Sequence, residues 1–240
     1  MRIANPIAEN TSYFASSRVF DIEDSLGVEL AWNYGVNATH CFKIFDREAT
    51  FNADAYRTQF ENQVVIDIED PTKLRFYNLD GESYSNSIQF DFNYELFERF
   101  DMKLAYKINQ VYSTFDGEKK IMPLVPENRA LVNFAYSTDH INKWLFDATW
   151  NYIGSSRIPY HPLIADGKTQ SDPFFVLNSQ VTKRFKTFDV YLGGENLLNY
   201  KQDNPILGSD DPFGSNFDAS IIWAPVMGRL IYTGIRLKIN

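Results

Sequence analysis

The 240-residue chain has a single cysteine, Cys41, which excludes a disulfide framework and a thiolate metal cluster. Histidine is almost as scarce. His40, His140 and His161 stand far apart, with no HxH or HxxxH spacing, and read as scattered turn or loop residues rather than ligands. Basic residues are outnumbered, 23 Lys and Arg against 31 Asp and Glu. That balance removes nucleic acid as a partner and excludes a polybasic membrane anchor. No apolar run approaches the ~18 residues of a transmembrane helix, and the opening MRIANP has no apolar segment of a secretory signal. Either the protein stays in the cytoplasm or Met1 is not the start of the gene product. No Walker loop, GxSxG or dinucleotide fingerprint is present. The acidic strings at 78–81 (NLDG) and 209–212 (SDDP) lack the remaining ligands of a calcium loop. No catalytic residue, metal or cofactor is therefore expected. Without repeats, linkers or low-complexity blocks, the chain reads as one domain or a piece of one.

Aromatic residues are what the chain has in excess: 20 Phe, 14 Tyr and 4 Trp. They fall into period-2 alternation. Ile88, Phe90, Phe92 and Tyr94 share one face of a strand, with Gln89, Asp91 and Asn93 on the other. Met102, Leu104, Tyr106 and Ile108 repeat the pattern against Lys103, Lys107 and Asn109, as do Trp144, Phe146, Trp150 and Tyr152 against Asp147 and Asn151. The alternation predicts strands at 27–44, 48–66, 74–95, 101–113, 129–138, 143–154, 174–185, 188–198 and 229–239.

Short connections at 45–47, 96–100, 137–142 and 186–187 alternate with long polar ones at 67–73, 114–128, 155–173 and 199–228. All the long loops then leave one end of the sheet, the plan of a transmembrane β-barrel. A soluble β-sandwich also alternates, but with shorter strands and a mostly aliphatic core. Strand length and the aromatic strand ends (Tyr94, Tyr136, Trp144, Tyr152) favour the barrel.

Five strings add a family resemblance. They are 29–35 (ELAWNYG), 55–64 (AYRTQFENQV), 76–85 (FYNLDGESYS), 193–200 (GGENLLNY) and the pair 225–229 (PVMGR) with 232–236 (YTGIR). In that order they resemble the C-terminal half of TonB-dependent outer-membrane receptors, in the style of Bacteroidetes-type bacteria. The likeness covers essentially the whole chain. One departure is the final Asn240, where such barrels often end in an aromatic residue.

The resemblance implies an all-β, antiparallel up-and-down transmembrane barrel, here a C-terminal fragment of about nine strands. An odd count cannot close such a barrel, so residues 1–240 are expected to lack the plug domain and the N-terminal strands, and 1–25 to be the tail of an external loop. It also implies a bacterial outer-membrane transporter for TonB-energised uptake of a scarce, bulky nutrient such as a siderophore or other metal chelate. The implied partners are outer-membrane lipid, the protein's own plug and missing strands, the TonB complex through the absent N-terminal region, and an unidentified nutrient. A passive porin-like barrel and a soluble β-rich binding module or hydrolase are the alternatives.

If the barrel closes, the wet face lines its lumen: Asp91, Asn93, Lys103, Lys107, Asn133, Asp147, Asn151 and Arg236. External-loop ligand candidates are Tyr112, Arg157, Tyr160, His161, Asp210, Asp211, Phe213 and Phe217, because loops on a rigid scaffold carry binding groups. Cys41 is expected to be a small buried or lipid-facing residue near a strand end.

Overall fold

β-Branched and aromatic residues at every second position hold the chain extended, and the strands pair into one large antiparallel sheet. The computed structural model describes residues 2–3, 5–138, 143–164 and 167–238. The chain enters through β1 (Arg2–Ile3), α1 (Pro6–Glu9), a 3-10 turn (Thr11–Phe14) and β2 (Val19–Ile22). Then follow β3 (Val28–Ile44), β4 (Arg47–Asn62), β5 (Val64–Asp67), β6 (Lys73–Asn78), β7 (Ser83–Phe97), β8 (Phe100–Phe115) and β9 (Glu118–Ile121). β10 (Asn128–Ser137), β11 (Trp144–Ile153), β12 (Phe174–Arg184), β13 (Phe188–Glu195) and β14 (Leu230–Leu237) complete it.

The main sheet runs β1-β3-β4-β7-β8-β10-β11-β12-β13-β14, with β9 attached to β8. Its long strands meet in simple sequence order, up and down. The nine expected strands correspond to β3, β4, β7, β8 and β10 to β14, most of them ending within two residues of expectation. Among the described residues, β14 pairs only with β13, and β3 has only the two-residue β1 beyond it, so the sheet stays open.

Two expected strands are broken. The segment 48–66 divides at Gln63, and 74–95 divides across 79–82. At the second break Gly81 has φ +131°, a region essentially reserved for glycine, so the strand stops there. The freed pieces form a separate three-stranded sheet, β2-β6-β5, in which β2 and β6 run parallel. The expected strand 188–198 ends early because Asn196 turns to φ +48°. Its side-chain amide then closes on Tyr200, accepting from Tyr200 N–H at 3.0 Å and donating to Tyr200 O at 2.7 Å. The short β9 comes from Asp116-Gly117, both at positive φ, a hairpin turn read from sequence only as loop. The 137–142 turn lies mostly outside the described residues, and His140 with it.

The main buried cluster lies outside the large sheet. Val64, Ile68, Leu74 and Phe76 cluster with Tyr13, Phe14, Leu26, Ile66 and Leu124, all from the segments at the long-loop end. These segments form a packed cap, joined by the Arg18–Asp218, Arg75–Asp116 and Arg157–Glu69 ion pairs. The sheet's apolar side chains remain uncovered: Trp32 is 63% exposed, Val36 72% and Ile235 66%. A soluble sandwich would bury that face against a second sheet. Here it stands ready for lipid.

Candidate functional site: a polar wall beneath a cap of loops

Strand register decides which side chains share a face. Asn93 pairs with Lys103, Lys103 with Asn133, Asn133 with Thr149 and Thr149 with Asn178. Asp91 and Asn151 belong to the next row, Asp147 and Gln180 to the row below, and Arg236 faces Asp189 on β13. All eight wet-face candidates therefore lie on one wall, Lys107 included, where it pairs with Gln89 and Arg129.

The wall is knit together by short polar bonds. Asn133 Nδ2 donates to Asp147 Oδ2 at 3.0 Å and to Thr149 Oγ1 at 2.8 Å. Gln89 donates to Asp91 at 2.8 Å, and Tyr232 Oη to Gln180 at 3.2 Å. Three tyrosines on this wall pack against glycines of the adjacent strand, in the space a side chain there would fill: Tyr56 at Gly35, Tyr232 at Gly193 and Tyr191 at Gly234. An edge-weakening glycine covered by a cross-strand ring is a recurrent way of pinning register.

The opposite face carries a belt of rings at the short-turn end. Phe42, Phe92 and Tyr94 lead across to Phe97, Phe100, Phe134, Tyr136, Phe146 and Trp144, with neighbouring centroids 4.5 to 6.4 Å apart. Lys183 Nζ stands 4.6 Å over the Trp144 ring, its stem along the apolar face and its charge at the rim. His40 sits in mid-strand on this face, stacked on Phe42 at 5.2 Å. Cys41 corrects its expectation. Pairing with Thr50 puts it on the polar wall, exposed, its Sγ 3.9 Å from Thr50 Oγ1. A residue between His40 and Phe42 must face the other way.

The eight loop candidates separate. Tyr112 is not a loop residue. β8 extends to Phe115, so Tyr112 stays in a strand on the ring-bearing face, opposite Tyr84 at 5.3 Å. Arg157 is committed to structure: its guanidinium holds Glu69 through two bonds, 3.0 and 2.6 Å, and Nε donates to Ile121 O. His161 is buried, its Nδ1 accepting from Leu163 N–H at 3.2 Å. Burial pushes its pKa below the usual 6.5, against the pull of nearby Asp218. Phe217 belongs to the base of its loop, where its carbonyl accepts from Ser17 N–H at 2.8 Å. Only Tyr160, Asp210, Asp211 and Phe213 present exposed groups. The last three share one loop tip, closed at its base by reciprocal Leu207–Asp218 backbone bonds of 2.8 and 2.9 Å, with Phe213 wholly exposed.

Between the loops 154–173 and 196–229 opens a cleft of about 220 Å³ that sequence reasoning missed. Ile158, Leu163, Lys168, Asp172, Tyr200 and Trp223 line it. Lys168 bonds Asp172 and stands 5.9 Å from the Trp223 ring, while Phe174 stacks on Tyr200 at 4.9 Å. Burial, with Asp172 and Asp203 nearby, raises the Tyr200 pKa and keeps its hydroxyl a donor. The one local signal was the apolar run 221–223 (IIW), ending in an aromatic, inside the long connection 199–228.

The family described as "TonB dependent receptor-like, beta-barrel" matches residues 5–197. No curated protein matches the sequence. Among solved structures, the chain is similar to the ferric yersiniabactin uptake receptor FyuA of Yersinia pestis, at 14% identity and TM-score 0.59, covering 90% of this chain and 31% of that one. It is similar to the copper transporter OprC at 14% identity and TM-score 0.63, covering 98% and 35%. It is similar also to the ferric-catecholate import receptor Fiu of E. coli K12, at 15% identity and TM-score 0.55, covering 88% and 28%. The chain thus spans about a third of the length of these structures. At such identities the likeness shows the fold, and the family match supplies the rest. The chain belongs to the TonB-dependent receptor β-barrel family and lies in the bacterial outer membrane.

Proposed function

We propose that residues 1–240 are the C-terminal part of a larger receptor barrel, without its plug domain and N-terminal strands, whose whole takes up a scarce, bulky nutrient such as a siderophore or other metal chelate with energy relayed by TonB. The observation that carries this reading is the polar wall running beneath a packed loop cap, with β14 and most of β3 left without an outer pairing strand among the described residues. Open edges on strands this long are a standing invitation to aggregate, and further strands of the same barrel relieve it. The similar structures, a ferric-catecholate import receptor, a ferric yersiniabactin uptake receptor and a copper transporter, support the same class of cargo.

In this reading the polar wall faces the lumen. Asp91, Asn93, Lys103, Lys107, Asn133, Asp147, Asn151 and Arg236 meet the plug there, and no bond-making chemistry is asked of them. Capture falls to the cap. The cleft at Tyr200 and Trp223 is smaller than the ~300 Å³ of a complete small-molecule site. It grips one edge of a cargo, with Phe213, Asp210 and Asp211 reaching from the neighbouring tip and Tyr160 from the other loop.

The test is growth of the source bacterium on single iron or copper chelates, with the whole receptor intact, deleted, or carrying Trp223→Ala. Deletion is expected to abolish growth on one chelate, loss of TonB to do the same, and Trp223→Ala to raise the chelate concentration needed. A passive porin gives chelate entry that survives loss of TonB, and that result rejects the receptor reading.

A further inference from the structure

We propose that the lipid-facing wall around Arg57 binds the phosphorylated headgroup of an outer-leaflet glycolipid, with one acyl chain in the furrow beneath. Arg57 projects from β4 on the apolar face, in the same row as Tyr34 and Asn86. A guanidinium on a lipid-facing wall demands a partner. Its hydrogen-bond and ring partners on the wall are neutral: Nη1 donates to Asn86 Oδ1 at 3.0 Å, Nη2 to Gln59 Oε1 at 2.7 Å, and the group lies 4.3 Å over the Tyr84 ring. These contacts fix the fork and leave part of its five-donor capacity for an anion.

Depth matches. The ring belt at the short-turn end includes Tyr94 and Phe97. From there up β7 to Asn86 the strand climbs roughly 20 to 27 Å along the membrane normal at ordinary rise and tilt, close to the ~25 Å of an apolar band. Arg57 therefore stands where acyl chains give way to headgroups.

Shape matches as well. Val36, Ala55 and Ile88 floor a shallow furrow running down from Arg57, with Tyr34 and Gln110 at its sides. The small Ala55 makes the depression, and Ala53 and Ala38, paired on the same face, continue it towards the short turns. A second cation stands near: Lys119 Nζ is 5.7 Å from the same Tyr84 ring, though it is bonded to Glu82 at 3.1 Å. Glu61, on the same face, is engaged by Trp32 Nε1 at 2.6 Å. Arg57 is thus the cation that an anionic headgroup completes, and a zwitterionic one adds no net charge.

The inference rests on the barrel and its lipid-facing side, and is independent of the nutrient. The experiment uses the whole receptor extracted in a non-ionic detergent, titrated with a bis-phosphorylated acylated glycolipid, the same glycolipid dephosphorylated, and phosphatidylethanolamine, and read by native mass spectrometry. The phosphorylated lipid is expected to stay bound and the other two to dissociate. Arg57→Gln is expected to lower the bound fraction about tenfold, in the range of one charge-assisted contact. Ala55→Leu, which fills the furrow and keeps the charge, is expected to lower it too, and serves if Arg57→Gln does not fold. Nutrient uptake by both variants should be unchanged. Equal binding of the dephosphorylated lipid, or full retention by both variants, overturns the proposal without touching the receptor reading.

Discussion

Arg18 and Asp218, 200 residues apart, form a buried ion pair: Nε donates to Oδ2 at 3.0 Å and Nη2 lies 3.0 Å from the same oxygen. Arg18 Nη1 also bonds the carbonyls of Ile68 and Lys73 at 3.1 and 3.2 Å, while Asp218 Oδ1 accepts from Ser220 N–H and Oγ. One charge pair thus ties the N-terminal segment to two loops. Leaving either charge buried alone costs about 3–5 kcal/mol. Asp218→Asn is expected to loosen the cap, so that the amides of 64–76 lose most of their hydrogen-exchange protection while β8 and β10 keep theirs. A double Arg18→Met, Asp218→Leu variant should recover much of it. Unchanged protection in Asp218→Asn rules out the tie.

His161 adds a pH dependence to the same cap. Its folded pKa lies below the unfolded value near 6.5, so the unfolded chain takes up the proton first. The stability it supports is complete above 6.5 and is lost as pH falls from there through the folded pKa. Hydrogen exchange at 154–173, corrected for intrinsic rate, should therefore quicken on acidification from pH 7.5 to 5.5. In His161→Gln that acid response should shrink. An equal response in both proteins shows that other groups carry it.

Glycine-on-tyrosine packing gives a third expectation. A side chain at Gly193 meets the Tyr232 ring of β14, and Tyr232 Oη also bonds Gln180. Overpacking of this kind costs about 1–3 kcal/mol, paid where β13 pairs β14. Gly193→Val should lower the yield of heat-modifiable, folded receptor on gels, whereas Tyr232→Phe, which keeps the ring and loses one bond, should fold nearly normally. Similar yields for the two would remove the ring contact as a determinant.

The strands were legible because period-2 alternation is a local property. Phe90 and Asp91 announce opposite faces whatever the rest of the chain does. The register then put Asp91, Lys103, Asn133 and Asp147 on one wall. Cys41 was misread as buried or lipid-facing, although its place between His40 and Phe42 in an alternating strand already assigns it to the opposite, polar face. The cap was not legible. Nothing near Arg18 in sequence announces Asp218, and Arg157 looked like a ligand group because Glu69 is 88 residues away. The cleft at Tyr200 and Trp223 exists only once two loops meet. Gly81, which breaks a strand, sits in a string that reads as continuous until its φ is known.

The most direct measurement is thiol labelling along β7. In a Cys41→Ser background, Phe90→Cys, Asp91→Cys, Phe92→Cys and Asn93→Cys are placed singly in the whole receptor and assayed in outer membranes. Each is exposed to a water-soluble thiol reagent and to a lipid-dissolved one. The barrel assignment predicts that positions 91 and 93 react from water, and that positions 90 and 92 react only from lipid. Uniform reaction from water along all four positions, or the reverse alternation, contradicts it.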